Sequence, residues 1–337
     1  MTGSWTAACR RARLHVVTGK GGTGKTTVAA ALALALATDG RRVLLVEVEE
    51  RQGIARLFDV PPLPYEERKV AVASGGGEVR ALCIDVEAAL LEYFQMFYNL
   101  GIAGRSLRKL GAIEFATTLA PGLRDVLLTG KVKETVTRVG KDHRPVYDAV
   151  VMDAPPTGRV VTFLNVTQAM SGLAKRGPIH SQAEGVVQLL HSQDTVVHLV
   201  TLLEDMPVTE TIEGIEQMRR EGLPVGSIIV NAVTESPLPA DLLPTAAAGD
   251  LDAAALTQAL AAGGLTAGRS ADEVDDLVRG LLTQTSEQAE RVLDETRCRR
   301  ELEATGMPLL TLPRLVDGTD LAGVYELTDR LTDQGVR

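Results

Sequence analysis

A glycine-rich segment over residues 19–27 constrains the fold of this chain more than any other feature. Its sequence, Gly19-Lys-Gly-Gly-Thr-Gly-Lys-Thr-Thr27, matches the pattern G-x-x-x-x-G-K-S/T, with an apolar run at 14–18 before it and an Ala- and Leu-rich run at 26–38 after it. Glycines in a loop between a strand and a helix let backbone N–H groups wrap a phosphate at the helix N-terminus. The segment therefore predicts a phosphate-binding loop in a parallel α/β sheet.

Further short, apolar runs predict the remaining strands of the sheet. Their predicted spans are 42–48, 149–152, 196–203, 227–231 and 307–312. Each run is rich in Val, Ile and Leu along its whole length, as in parallel strands that helices cover on both faces. We therefore predict an α/β P-loop NTPase fold, with a mostly parallel central sheet flanked by helices, in one domain over 14–337.

The long segments between the predicted strands are helical in pattern. Apolar residues recur near a period of 3.6 over about 85–140, and a second helical stretch covers 165–191, so we predict a helical subdomain from these two segments. Ala-, Leu- and charge-rich helices at 236–300 are predicted to form a variable insert, and 1–13 a flexible tail.

One part of the helical subdomain is apolar over a broad surface. Its members are Leu90, Leu91, Tyr93, Phe94, Met96, Phe97, Tyr98 and Leu100. Ordinary helix packing explains such a stretch. Met and aromatic side chains also suit the adaptable recognition of an apolar partner helix. Both interpretations stay open from the sequence.

Two residues of the loop and one residue at a strand end are predicted to bind the phosphates and Mg²⁺. Lys25 is predicted to reach the β- and γ-phosphates of ATP, and the Thr26 hydroxyl to bind Mg²⁺. Asp153 ends the third predicted strand, and its carboxylate is predicted to bind the Mg²⁺ directly or through a water. The rigid turn that follows, as far as Gly158, is predicted to sense the γ-phosphate.

Charge and cysteine content exclude several classes of function. Lys and Arg number 35 against 44 for Asp and Glu, a net charge of −9, so we expect no nucleic-acid partner. The three cysteines lie far apart without a CxxC pair, so no zinc site is expected. So few cysteines suit a reducing compartment, and we expect a cytoplasmic protein.

Several motifs together resemble one family. With Lys20 included, the loop also matches the narrower pattern Lys-Gly-Gly-x-Gly-Lys-Thr, which is the signature of the deviant P-loop ATPases. The turn from Asp153 to Gly158 resembles the switch II motif of the arsenite-transport and tail-anchored-protein-targeting ATPases. The segments that end at Asn231 and Pro313 resemble that family's nucleotide-base loops. In detail the chain resembles the actinobacterial anion-transporter ATPases, which often occur as two adjacent, related subunits.

The resemblance spans about 14–235 and 305–330 and implies a dimeric switch that depends on ATP and Mg²⁺. It implies that nucleotide state controls the binding of a protein client or membrane partner through the helical region. Lys20 and Lys25 are then catalytic together with Glu49, with Lys20 reaching phosphates across the dimer interface. The implied nucleotide-binding residues are Gly19, Gly21, Gly22, Thr23, Gly24, Lys25, Thr26, Thr27, Asn231 for the base and Pro313 over the adenine.

The predicted switch I departs from the family pattern Thr-Asp-Pro-Ala-His. Glu49 stands where the water-orienting Asp belongs, and the Pro and His are missing. A carboxylate one methylene longer can still orient a water, but a small misplacement slows hydrolysis. Two alternatives stay open: a homodimeric ATPase, or a weakly hydrolysing subunit of a heterodimer with a related ATPase, acting in stress response or anion handling. A membrane partner would place the protein at the membrane periphery.

Overall fold

An eight-stranded sheet forms the centre of the described chain. The computed structural model describes residues 5–98, 122–165, 178–234, 236–315 and 318–337. The strands lie in the order β3-β4-β2-β5-β1-β6-β7-β8, and every neighbouring pair is parallel except β3 with β4. They are β1 Leu14–Gly19, β2 Arg42–Glu47, β3 Arg68–Val72, β4 Glu78–Cys83, β5 Ala149–Asp153, β6 Thr195–Thr201, β7 Val225–Val233 and β8 Leu309–Pro313. The predicted α/β fold is confirmed.

Helices follow most of the strands. Within the described ranges they are α1 Ala7–Arg11, α2 Lys25–Leu36, α3 Gly53–Leu57, α4 Val86–Tyr98, α5 Leu123–Thr137, α6 Thr157–Leu164, α7 Pro178–Leu190, α8 Asp205–Arg220, α9 Leu243–Ala247, α10 Ala253–Ala262, α11 Ala271–Ala304 and α12 Leu321–Asp333. Every residue of β1, β5 and β6 is buried, so both faces of the central strands are covered.

Helix α2 is the centre of the apolar core. All its residues from Thr27 to Leu36 are buried, because it lies between the sheet and α12. A helix that is covered on every side needs no polar face, which explains its uninterrupted run of Ala and Leu. The same packing fixes the N-terminus of α2, where the glycine-rich loop ends.

The sequence interpretation missed the edge hairpin made of β3 and β4. Most residues of β3 are exposed, and both strands carry charged residues, so neither resembles the uniformly apolar central strands. A tight turn joins them, in which Gly75 and Gly76 take positive φ and a Cβ at Gly77 would lie 1.6 Å from the Ala37 carbonyl oxygen. An edge strand that pairs on one side tolerates such polarity.

The expectation of a flexible tail over 1–13 is wrong for the described residues 5–13. Trp5 is 2% exposed, and its ring stacks on His15 at 5.7 Å and on His198 at 5.2 Å between centroids. The short helix α1 follows, with Cys9 fully buried. This segment covers apolar surface beside β1 that water would otherwise reach, so burial holds it in place.

The two stacked histidines form a chain of hydrogen bonds, and this chain determines which ring nitrogen of each histidine carries a proton. The Ala12 carbonyl accepts from Nε2 of His15 at 3.2 Å, so Nδ1 of His15 is the acceptor for Nε2 of His198 at 3.1 Å. Nδ1 of His198 then accepts from the Ser227 amide at 3.3 Å. Both rings are therefore neutral, and burial lowers the pKa of His15 to about 4 and that of His198 well below its usual value.

Residues 203–205 and 234–305 form a second compact unit. Its small apolar core contains Leu243, Ala246 and Ala289. The 34-residue helix α11 begins with a capping box, in which Ser270 and Glu273 satisfy each other's backbone N–H groups. The residues of this unit include the segment 236–300, which was predicted to form a variable helical insert.

Part of the predicted helical subdomain lies outside the described residues. Helices α4 and α7 both contact α5, and all three belong to the same compact unit as the sheet. Leu90 is buried, while the side chains of Tyr93, Phe94, Met96, Phe97 and Tyr98, and all of Leu100, fall outside what is described. Among the described residues, no helix combines the length and apolar character needed to cross a lipid bilayer.

We expect acid to weaken the fold through the histidine stack. The folded pKa of His15, about 4, lies below the unfolded value of 6.5, so its contribution to stability is lost as pH falls between these values. This loss reaches about 2 kcal/mol by pH 5 for His15 alone. Urea unfolding of the wild type and of His15→Leu/His198→Leu, measured across this range, should show a steeper fall for the wild type. Parallel pH profiles would contradict the assignment.

Candidate functional site

The predicted site residues follow strands that run in the same direction. Gly19 ends β1, Asp153 ends β5 and Pro313 ends β8. Asn231 lies near the end of β7, and Glu49 follows the end of β2 by two residues. Because these strands are parallel, their carboxyl ends meet at one edge of the sheet. The topology thus brings most of the predicted site together.

The loop glycines fall into two groups: two of them lie too close to other atoms for a side chain, and two face open space. A Cβ at Gly19 would lie 2.1 Å from the Val200 carbonyl oxygen, and Gly24, with φ of +86°, would place a Cβ 2.4 Å from Nδ2 of Asn231. By contrast, a Cβ at Gly21 or Gly22 would meet no atom within 4 Å. The loop is therefore tight against the sheet and open on its outer side, a cradle of the kind that phosphate requires.

The two loop lysines have different partners. Nζ of Lys25 donates to the Lys20 carbonyl at 3.3 Å, which the Thr23 hydroxyl also contacts at 2.9 Å. Burial lowers the pKa of Lys25, against the opposing effect of the carboxylates of Asp153 and Glu49. The Lys20 ammonium instead forms an ion pair with Glu210 on α8, at 2.5 Å.

A short hydrogen bond joins the first turn of α2 to the end of β5. The Thr26 hydroxyl donates to Oδ2 of Asp153 at 2.6 Å. Asp153 is 8% exposed, and burial raises its pKa to about 6; the Thr26 bond and Lys25 oppose that rise, and Glu47 and Glu49 add to it. Thr27 follows in the same turn and is buried in the core.

The end of β2 presents two glutamates with different surroundings. Glu47 is 2% exposed and lies beside Asp153 in the strand register. Its carboxylate accepts from the backbone N–H groups of Gly53 at 3.3 Å and Ile54 at 3.2 Å, so it caps α3. Glu49 is partly exposed and faces Arg51 at 3.6 Å.

Glu47 is a buried acidic residue that the sequence interpretation missed as a functional candidate. An acidic residue directly after Leu44-Leu-Val46, in an otherwise apolar strand, was the available signal. Gly53, which Glu47 holds, comes so close to α2 that a Cβ there would lie 3.1 Å from Cγ2 of Thr26. The predicted switch I segment therefore lies against the first turn of α2.

The predicted switch II turn is held at its start. The Thr18 hydroxyl donates to the Pro155 carbonyl at 2.7 Å, which joins this turn to β1. Thr157, the first residue of α6, is 4% exposed, and its hydroxyl has no hydrogen-bond partner in the described chain. A buried hydroxyl without a partner is uncommon and costs free energy in the state shown.

The two base-loop candidates differ in their relation to the phosphate loop. Nδ2 of Asn231 donates to the Thr23 carbonyl at 2.9 Å, so this amide braces the loop. Pro313 pairs in register with Val233 at the neighbouring strand end. No described contact joins Pro313 to the phosphate loop.

Comparison with known proteins decides the family. The family model for anion-transporting ATPases matches residues 12–178. ATPase BagA of Mycobacterium tuberculosis is 58% identical over 333 residues, which are 99% of this chain and 96% of that protein. This chain belongs to the anion-transporting ATPase family. It is an ATPase.

More distant relatives of this ATPase support the same assignment. Putative arsenical pump-driving ATPase 2 of Aquifex aeolicus is 25% identical over 253 residues, 66% of this chain and 80% of that protein. ATPase GET3 of Kluyveromyces lactis is 25% identical over 249 residues, 64% of this chain and 70% of that protein. The resemblance inferred from the loop and switch motifs is therefore confirmed.

Gly24→Ala should destabilise the protein, whereas Gly21→Ala should not. Alanine at Gly24 must take a left-handed φ and displace the Asn231 amide from Thr23, which we expect to cost about 1–3 kcal/mol. Alanine at Gly21 meets open space, and we expect a change within about 0.5 kcal/mol. Urea unfolding without nucleotide measures both. Equal losses would show that the loop geometry described here is wrong.

Proposed function

We propose that this ATPase is a Mg²⁺-dependent dimeric switch, which couples its nucleotide state to a protein client or membrane partner. The observation that carries the proposal is the bond from Thr26 to Asp153, directly after the open glycine loop and Lys25. The loop, Lys25 and the Thr26–Asp153 pair bring together a phosphate cradle, a cation and hard oxygen ligands at the N-terminus of α2.

The chain's residues fit a nucleoside triphosphate. We assign phosphate contacts to the loop backbone from Gly19 to Thr27, where N–H groups and the N-terminus of α2 favour negative charge. The Lys25 ammonium interacts electrostatically with the buried Asp153 carboxylate, and it would move from the Lys20 carbonyl to the β- and γ-phosphates. These groups stabilise the charge that develops during phosphoryl transfer.

The site also fits a Mg²⁺ ion. The Thr26 hydroxyl and the Asp153 carboxylate are hard oxygen ligands, and both suit a small divalent cation that keeps several waters. Bound Mg²⁺ would supply charge neutralisation between the phosphates. Thr26 would bind it directly and Asp153 directly or through a water, while a cation would also offset the buried negative charge around Asp153.

We assign the orientation of the attacking water to Glu49. Its negative charge raises the pKa values of both Lys25 and Asp153, which supports a place for Glu49 near these two groups. A carboxylate beside the phosphate cradle can orient a water and accept its proton. Glu47 supports this arrangement by holding the start of α3, which follows the Glu49 segment.

Dimerisation and base recognition complete the proposal. We assign Lys20 to phosphates bound by the second subunit, as an arginine finger supplied in trans would act. Asn231 is assigned to the nucleotide base and Pro313 to the cover over adenine, and their place at the ends of β7 and β8 supports this. The client or membrane partner is assigned to the helical region of 85–140, on the strength of its apolar sequence.

A second candidate is a weakly hydrolysing subunit of a heterodimer with a related ATPase. The observation that favours it is the ion pair of Glu49 with Arg51, at 3.6 Å, within the altered switch I. An arginine that holds the water-orienting carboxylate lowers the fraction of time in which a water is aligned. The partner subunit would then supply most of the turnover.

Glu49→Gln should abolish hydrolysis while keeping ATP bound. Glutamine preserves the size of the side chain but cannot take a proton, so we expect the rate of steady-state ATP hydrolysis to fall by about 100-fold or more. The dissociation constant for ATP should stay within about twofold, because Glu49 is assigned to the water and not to the phosphates. The matched control is Glu50→Gln, whose carboxylate instead faces Arg124 at 3.2 Å.

Comparison of Glu49→Gln with the wild type also separates the two candidate functions. If the chain forms its own switch, Glu49→Gln with Mg²⁺ and ATP sediments as a dimer, while the nucleotide-free protein does not. If the heterodimer is correct, the wild type alone binds ATP with slow turnover and stays monomeric. Equal turnover in Glu49→Gln and the wild type would exclude the role assigned to Glu49.

A further inference from the structure

The ion pair between Lys20 and Glu210 has no role in the proposed reaction. The two charged atoms are 2.5 Å apart within one chain, and the side chains are 28% and 34% exposed. Lys20 is the first residue after Gly19 at the end of β1, whereas Glu210 lies in the middle of α8. Folding therefore brings together a loop residue and a helix residue that are 190 positions apart.

This pairing competes with the role assigned to Lys20. An ammonium that donates to a carboxylate at this distance must leave it before it contacts a phosphate on another subunit. We propose that Glu210 is a positioning residue, which retains Lys20 within its own subunit until bound nucleotide in the dimer displaces it. The proposal rests on the proposed function, because it needs ATP bound between two subunits.

The exposure of the pair sets the strength of this restraint. An ion pair that is about one-third exposed changes an equilibrium by no more than about fivefold. A triphosphate that carries several negative charges can therefore displace Glu210, whereas a solvent anion at low concentration cannot. The restraint is reversible, as a switch requires.

Helix α8 also contacts the predicted switch II turn. Gly214 lies one helical turn after Glu210, on the same face, and a Cβ there would lie 2.5 Å from Cγ2 of Thr157. Thr157 begins α6 and carries the buried hydroxyl without a partner. One face of α8 thus contacts both Lys20 and the predicted switch II turn.

Trace acetylation of the nucleotide-free protein tests the restraint without any activity. In Glu210→Gln, mass spectrometry should show Lys20 acetylated about threefold to fivefold faster than in the wild type, relative to Lys69 and Lys141 in the same sample. The control Glu213→Gln, at an exposed position on the same helix, should leave the Lys20 rate unchanged. An unchanged rate in Glu210→Gln would overturn the proposal.

Nucleotide binding tests the consequence. Glu210→Gln should bind the Mg²⁺ complex of a non-hydrolysable ATP analogue up to about fivefold more tightly, and its KM for ATP should fall with kcat within about twofold. A variant that only disturbed packing would lower kcat or weaken binding, and either result overturns the proposal. If the wild type itself does not bind the analogue, the proposed function is wrong. If the wild type and Glu210→Gln bind the analogue equally tightly, only the role of Glu210 is wrong.

Discussion

The hydrogen bond from Thr26 to Asp153 is the interaction on which the rest of the site depends. It joins the first turn of α2 to the end of β5, two elements whose positions the apolar core fixes independently. A bond to a buried carboxylate contributes about 1.5–3 kcal/mol, and loss of the Thr26 hydroxyl removes this donor from the buried Asp153 carboxylate. The same bond places a hydroxyl and a carboxylate together beside the phosphate loop.

Two acidic side chains are buried at this edge of the sheet. Asp153 and Glu47 are neighbours in the strand register and both are almost fully buried, and the Lys25 ammonium partly balances Asp153. Excess negative charge in a buried site is costly without a cation. A phosphate loop beside such carboxylates therefore favours a nucleotide together with a divalent metal over a nucleotide alone, which agrees with an ATPase of the anion-transporting family.

The features that the sequence predicted correctly depend on local patterns. The glycine motif, the apolar central strands and Asp153 at a strand end each have a signal within about ten residues, and the sheet places them together. What the sequence missed depends on contacts over long separations. Trp5 covers histidines from two strands, Glu47 caps a helix across the switch I segment, and Glu210 reaches Lys20 from a distant helix. No short-range pattern in the sequence predicts such contacts.

The most direct test is ATP hydrolysis by the purified chain alone, titrated with Mg²⁺, beside Lys25→Ala and Thr26→Val. We expect Mg²⁺-dependent turnover that Lys25→Ala abolishes. We also expect Thr26→Val to shift the Mg²⁺ requirement to higher concentration, because the valine lacks the hydroxyl assigned to the ion. Turnover that survives Lys25→Ala, or an unchanged Mg²⁺ requirement in Thr26→Val, would contradict the site described here.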